Sequence, residues 1–376
     1  MLGVSKMLKI AIYDGSRNRL NTGYGALSRG IIRALVLKGC EVYLQDSQVP
    51  FDKEVPYQAE ISVLPSIKQA KDFDSMDLVF QIGTPPSAMK LPKHTLMYTQ
   101  NALGDLIDNW IQPLRKVDGL IVPGEFDANV FRKYFDRVYT CPQYVDTHIF
   151  NYRPTYRKEG SSMFTFMFVG GYGYRKGTDL LVEAFCKAFR REDEVELILY
   201  CVTGLETGFN HVLEIIQKYN PLARIKLFSS VHSPAWMARF YNRADAFITL
   251  SRGEGWCMPF HEALLCGKPA IAPSSTAMGE SIPDDIAKFV SVKEVEILSI
   301  KDELGMGMQK FYGKPGNVCY EPSVEEAIVA MQDVKNNYEV YQKKAMRGRN
   351  YILDNYSLDK IGSHLMSIIS DFLNPS

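Results

Sequence analysis

Short runs of apolar residues alternate along the first part of the chain with stretches whose apolar positions recur three and four apart. Residues 8–13 form a β-branched run ending in Asp14-Gly15, which predicts a buried strand feeding a loop. The loop carries Asn21 through Gly25, and residues 26–35 then repeat their apolar positions at helical spacing until Lys38-Gly39 stops them. Further strands are predicted at 77–81, 95–98, 119–122 and 138–140, with a helix over 127–135. Strands separated by helices imply a parallel sheet.

The polar stretch 151–162, rich in Pro, Gly, Ser and charge, has the composition of a linker. The alternation then restarts, with strands at 164–170, 195–200, 225–228 and 246–250 and helices over 179–190, 211–218 and 234–242. Beyond Glu321 the pattern is helical, and Ser357 followed by Asp359 and Lys360 starts a last amphipathic helix. A length of 376 residues fits two domains at roughly 100–200 residues each. The boundary placed at the linker gives 1–152 and 153–356, two α/β domains with a cleft between them.

Composition narrows the function. Equal numbers of basic and acidic residues, 43 each, leave no overall bias toward nucleic acid or anionic membrane. With 46% hydrophobic and 23% charged residues the chain reads as an ordinary folded protein. No apolar run is long enough for a membrane span, and the N-terminal residues lack a signal-peptide cleavage site, so a cytoplasmic protein without stable membrane insertion is expected. The internal KDEL string at 301–304 is not at the C-terminus and carries no address. Seven cysteines form no CxxC pair, and the six histidines show no metal-ligand spacing, so no metal and no cofactor are expected. Only the adjacent His261 and Glu262 raise the question of a ligand pair.

Three segments could carry chemistry. Gly23-Tyr24-Gly25 follows a strand and precedes a helix, where backbone can approach a phosphate; the same residues also suit a plain strand-to-helix turn, and the dinucleotide fingerprint is incomplete. Residues 168–179, FVGGYGYRKGTD, close a strand with Gly170 and Gly171 and place Arg175 and Lys176 just before a helix. That arrangement suits a diphosphate whose leaving charge needs neutralising, although a solvated basic turn reads the same way. It is not a Walker loop. Residues 251–269 hold Glu254 in a glycine loop and Glu262 eight positions on, two residues into an expected helix. An acid in a first helical turn can accept from a ribose diol, or can simply cap its helix.

With Ala244 through Ile248, these segments resemble, in order and over nearly the whole chain, the GT-B fold retaining glycosyltransferases of family 4, Glu254 and Glu262 matching their EX7E motif. The resemblance implies two facing Rossmann-like domains, with the last helix, 357–376, crossing back onto the first. It implies a nucleotide-sugar donor, UDP-glucose or a relative, held by the second domain, and a glycan, lipid-linked or other hydroxyl acceptor held by the first. Glu262 would bind the ribose hydroxyls. Glu254, with the backbone of Gly255, Trp256, Cys257 and Met258, would face the sugar. Lys176 with Arg175 would hold the diphosphate beside Gly170 and Gly171, and Gly23 with Tyr24 would approach the donor from the first domain. Retaining transfer would then proceed on one sugar face without a metal.

The chain departs from the family pattern at several places. Gly171 stands where an arginine is common, Cys257 where glycine is usual, and Tyr144 where glycine follows the Pro-Asn pair of relatives. Gln100 or Asn101 falls where a histidine often meets the sugar, so these two and Tyr144 are the candidate sugar or acceptor contacts. A DNA-modifying transferase of viral type is the alternative, with Arg17, Arg19, Arg29 and Arg33 as phosphate contacts. From another class come a nucleotide-sugar epimerase, which needs an acid-base set not found here, and a non-catalytic nucleotide-sugar binder.

Overall fold

The computed structural model describes residues 7–14, 22–45, 68–70, 73–154, 163–201, 205–220, 222–230, 232–300 and 308–375. Arg17, Arg19, Asn21, linker positions 155–162 and the KDEL string lie outside the described residues. The fold is α/β, with two Rossmann-like units. One comprises Met1–Gln100, Asp108–Asp146 and Asn355–Ser376; the other comprises Asn101–Ile107 and Thr147–Asp354. Residues 101–107 thus belong to the second unit.

In the first unit, β1 (Lys9–Tyr13), α1 (Gly23–Leu37), β2 (Glu41–Gln45), β3 (Lys68–Ala70), β4 (Leu78–Ile82), β5 (Thr95–Tyr98), α2 (Asp108–Leu114), β6 (Gly119–Val122), α3 (Glu125–Phe131) and β7 (Val138–Thr140) follow in order. The strands form one sheet, β3-β2-β1-β4-β5-β6-β7. Its pairings are parallel throughout. The central strands β4, β5 and β6 are buried along their length, as a sheet covered on both faces requires.

Helix α1 opens earlier than its apolar spacing suggests. Thr22 Oγ1 accepts from the Gly25 amide at 3.1 Å, so Gly23-Tyr24-Gly25 forms the first helical turn instead of a loop ahead of it. Helix α3 likewise starts two residues before the expected 127 and ends at Phe131.

The second unit contains β8 (Phe164–Gly170), α4 (Thr178–Ala188), β9 (Val195–Cys201), α5 (Leu205–Tyr219), β10 (Ile225–Phe228), α6 (Pro234–Arg243), β11 (Ala246–Ile248), α7 (Met258–Leu265), β12 (Ala270–Pro273), α8 (Thr276–Glu280), β13 (Lys288–Val290), β14 (Val292–Glu296), α9 (Met308–Tyr312), β15 (Val318–Pro322), α10 (Val324–Asn336) and α11 (Tyr338–Asn355). Its parallel sheet runs β10-β9-β8-β11-β12-β13, and β14 pairs with β15 as an antiparallel ribbon. Phe166, Phe168, Leu181, Phe185, Leu197 and Ile248 build its core between sheet and helices.

The last helix, α12 (Leu358–Leu373), buries Ile361, Leu365, Ile368, Ile369 and Phe372 in the first unit. A Cβ at Gly119 would come within 2.8 Å of the Phe372 ring, and Arg137 donates to the Phe372 carbonyl at 2.7 Å. The chain therefore returns to the unit it started from, as the resemblance implies.

Candidate functional site

Open parallel sheets bind ligands beyond the carboxyl ends of their strands, and in the second unit two such ends carry the cations and the first glutamate. After β8 the chain runs through Gly171, Tyr172 and Gly173 into a single 3-10 turn, Tyr174–Lys176, and reaches α4 through Gly177. Beyond β11 it continues through Ser251, Arg252 and Gly253 to Glu254.

The two loops touch backbone to backbone. Gly177 has φ +62°, and a Cβ there would lie 1.7 Å from the Leu250 carbonyl oxygen. On the far side, a Cβ at Gly253 would lie 1.9 Å from the Ala102 carbonyl. No side chain fits at either position.

This closeness lets side chains nearly eighty residues apart meet. Lys176 Nζ donates to Glu254 Oε1 at 2.6 Å, and Arg175 reaches Glu254 Oε2 at 3.4 Å and the Gly253 carbonyl at 2.7 Å. Ser251 Oγ also donates to Oε1, at 2.8 Å. Burial would by itself push the Glu254 carboxyl up, but the charges of Lys176 and Arg175 and the Lys176 and Ser251 hydrogen bonds outweigh it and hold it down at about 2. The group is an anion at any working pH. It shares two cations whose side chains stay about one quarter exposed, 25% for Lys176 and 27% for Arg175.

Arg252 fixes the cation turn from behind. It is 1% exposed, forks onto both oxygens of Asp179 at 2.8 Å, donates to the Tyr174 carbonyl at 2.6 Å, and lies 3.6 Å from the Tyr174 ring centroid. Its own amide donates to the Arg175 carbonyl at 2.7 Å. A buried guanidinium with this many acceptors holds the turn in one geometry.

The motif's second half lies on α7, which opens at Met258, three residues earlier than expected. Glu262 is therefore its fifth residue and sits in the second turn, so the helix dipole acts on it less than a first-turn position would allow. Its Oε2 accepts from the Tyr241 hydroxyl at 2.8 Å. Trp256 is buried, its ring stacked on His261 at 4.5 Å and 4°. Gly255 and Cys257 are buried and Met258 is half-buried, so Trp256 and Cys257 turn their side chains into the protein.

Cys257 holds φ +65° at the helix start, a conformation glycine adopts without strain. Thr276 shows a second left-handed φ, +55°, and its Oγ1 accepts from the Glu254 amide at 3.4 Å. His261 uses both ring nitrogens within the fold. Nδ1 faces the Cys257 carbonyl at 3.1 Å and so carries the hydrogen, leaving Nε2 to accept from Ser281 at 3.0 Å. Burial pushes this histidine down to about 4, with the Cys257 carbonyl opposing. The His261–Glu262 pair is thus divided between a structural histidine and a half-buried carboxylate.

In the first unit Gly23 is exposed with open space about it, and Tyr24 is half-buried on the first turn of α1. Gln100 accepts from Gln143 at 2.7 Å. Tyr144 is buried, its ring 2.9 Å from a would-be Gly30 Cβ and 5.7 Å from the Arg33 guanidinium. Arg33 pairs with Asp146 at 2.8 Å, an engagement that the DNA reading would have to break. Asn101 lies in the other unit, buried, with Nδ2 donating to the Leu103 carbonyl at 2.5 Å.

The structure thus brings Arg175, Lys176 and Glu254 into contact, and gives Glu262 a partner on α6. Ser251, Arg252, Thr276 and Tyr241 take part without having been singled out in the sequence. Ser251 and Arg252 were legible at most as neighbours of Glu254; nothing in residue order marks Tyr241 or Thr276.

Residues 156–304 match the model of the family "Glycosyl transferases group 1". The match spans about two fifths of the chain. That stretch contains the whole cation turn and both glutamates.

The chain is 25% identical over 184 residues to the α-monoglucosyldiacylglycerol synthase of Streptococcus pneumoniae, covering 46% of this chain and 41% of the synthase. It therefore spans under half the length of that relative. It is 22% identical over 295 residues to an uncharacterized protein of Sulfolobus islandicus rod-shaped virus 1, covering 76% of this chain and 74% of the viral one. Among solved structures it resembles Anabaena HepE in complex with UDP and glucose, with TM-score 0.69 at 13% identity over 97% of this chain and all of that one. The likeness to HepE shows the fold, GT-B-like in its two Rossmann-like units. Among the described residues no helix is long and apolar enough to cross a membrane.

Proposed function

We propose that the protein is a family 4 retaining glycosyltransferase, cytoplasmic and metal-independent, that moves a sugar from a nucleotide-sugar to the hydroxyl of a glycan or glycolipid. UDP-glucose is the first donor to try; HepE was crystallised with UDP and glucose, and the pneumococcal relative is named for a glucosyl lipid. The observation that carries the reading is the joining of Lys176 and Arg175 to Glu254 at the strand ends, inside the matched domain.

In this reading Lys176 and Arg175 receive the diphosphate and neutralise the charge that grows on it as the anomeric C–O bond breaks. Arg175 takes the part of the arginine that Gly171 lacks. The acceptor oxygen bonds to the anomeric carbon on the same face, and its proton passes to the departing phosphate oxygen, so no second carboxylate has to remove it. Glu254 and the backbone from Gly255 to Met258 orient the sugar, and Glu262 takes the ribose hydroxyls. The resemblance also assigns Gly23 and Tyr24 to the donor. Of the three candidate acceptor contacts, Tyr144 and Asn101 are buried and Gln100 is half-buried.

The deciding experiment measures turnover of UDP-, GDP-, ADP- and dTDP-sugars with and without glycan and diacylglycerol-type acceptors, with EDTA present. Acceptor-dependent transfer with retained anomeric configuration, unaffected by EDTA, is expected. Conversion of donor alone to a new sugar would identify an epimerase, and binding without turnover a binder.

A further inference from the structure

A glutamate has three rotatable bonds, and a ligand that must order it loses roughly tenfold in affinity. Glu262 is half-buried, yet one of its oxygens is already held. We propose that Tyr241 is a positioning residue for the donor site, fixing the Glu262 carboxylate in the orientation that receives the vicinal diol of the nucleotide's ribose. This rests on the assignment of Glu262 to the ribose.

Tyr241 lies on α6 with no exposed surface, and its ring is wedged edge-on against Phe150 at 5.9 Å and 75° and tilted against Phe247 at 6.4 Å and 50°. Packing therefore sets where its hydroxyl points, independently of Glu262. Buried phenols need an acceptor, and most side-chain hydrogen bonds in proteins go to backbone or water. This one goes, at 2.8 Å, to a carboxylate on the helix that follows the Glu254 loop. Burial, and then the Glu262 charge, push the Tyr241 phenol well above its ordinary range, so it stays a donor at every pH at which the protein is used.

The test uses the full-length protein and calorimetric titration of UDP, GDP and ADP, each paired with its 2′,3′-dideoxy counterpart, on wild type, Tyr241→Phe, Glu262→Ala and the double variant. Tyr241→Phe keeps the ring and its packing, and thermal unfolding checks that it folds. Expected is a roughly tenfold loss of affinity for the diphosphate that binds, little change for its dideoxy form, and no further loss from Tyr241→Phe in the Glu262→Ala background. With the cognate donor, KM rises while kcat changes little.

Equal weakening of both nucleotide forms, or an undiminished effect in the double variant, would show a merely structural phenol and overturn the proposal. No effect of Tyr241→Phe while Glu262→Ala removes the diol preference would overturn it too. If Glu262→Ala keeps the full preference, the ribose assignment itself fails, and with it the role of Tyr241. The same holds if wild type binds none of the three diphosphates. Should Tyr241→Phe not fold, Glu262→Gln serves instead. Its amide oxygen can still accept from Tyr241, so it should keep part of the diol preference lost in Glu262→Ala, and loss of all of it would overturn the proposal.

Discussion

Glu254 is where most of the site's electrostatics converge. Its carboxylate is nearly enclosed, yet two cations make ionisation favourable, so the three groups form one unit. Lys176→Ala should weaken donor binding roughly thirtyfold, about 2 kcal/mol, measured by titration with the cognate nucleotide. Unchanged affinity would remove Lys176 from the diphosphate site.

His261 and Glu254 set an acid limit. His261 sits at about 4 when folded against an ordinary 6.5, so the unfolded chain takes up its proton first and stability falls as pH drops from 6.5 toward 4. The gap corresponds to about 3 kcal/mol. Glu254, at about 2 against 4.5, adds a further loss as pH falls below 4.5, because its carboxylate is protonated more readily in the unfolded chain. Urea unfolding between pH 7 and 4 should show the first phase, and His261→Gln should flatten it. A wild-type midpoint independent of pH across that range would contradict the buried neutral histidine.

At the scale of elements, the site depends on two loops meeting at their backbones. Gly177 occupies a left-handed conformation with no space for a side chain, so Gly177→Ala should cost at least about 2 kcal/mol and separate the cation turn from the Glu254 loop. A lowered Tm together with weakened donor binding is the expected result; a variant as stable as wild type would mean that the Leu250 backbone yields easily. These elements were unevenly legible. Strands β4, β5, β6 and β8 stand out as apolar runs because both faces of a central parallel strand are buried. β2, with polar residues at both ends, and the ribbon β14-β15, where Val292 and Val295 stand among three charged residues, give no such run. The glycines at 23 and 25 suggested a loop, but the side chain of Thr22 captured them into α1.

For the whole molecule, each unit has its own core, and α12 belongs to the first although it ends the chain. Phe372 is 3% exposed and fills the space at Gly119, so Phe372→Ala should destabilise the first unit by about 3 kcal/mol. Calorimetry should show one unfolding component shifted down, while nucleotide affinity, assigned to the second unit in the proposed function, stays unchanged. A loss of nucleotide binding in this variant would count against assigning the donor to the second unit.

Residue order by itself determined the two α/β units, the glycine turn with its two cations, and the glutamates eight apart, because burial periodicity and turn chemistry act between near neighbours in the chain. Tertiary structure alone decided that Lys176 and Arg175 meet Glu254, that Arg252 is buried behind their turn, and that Tyr241 holds Glu262. These pairings join separate strand ends and helices. They depend on how the sheet orders its strands and on how closely two backbones pack, and no local pattern of polar and apolar residues encodes either.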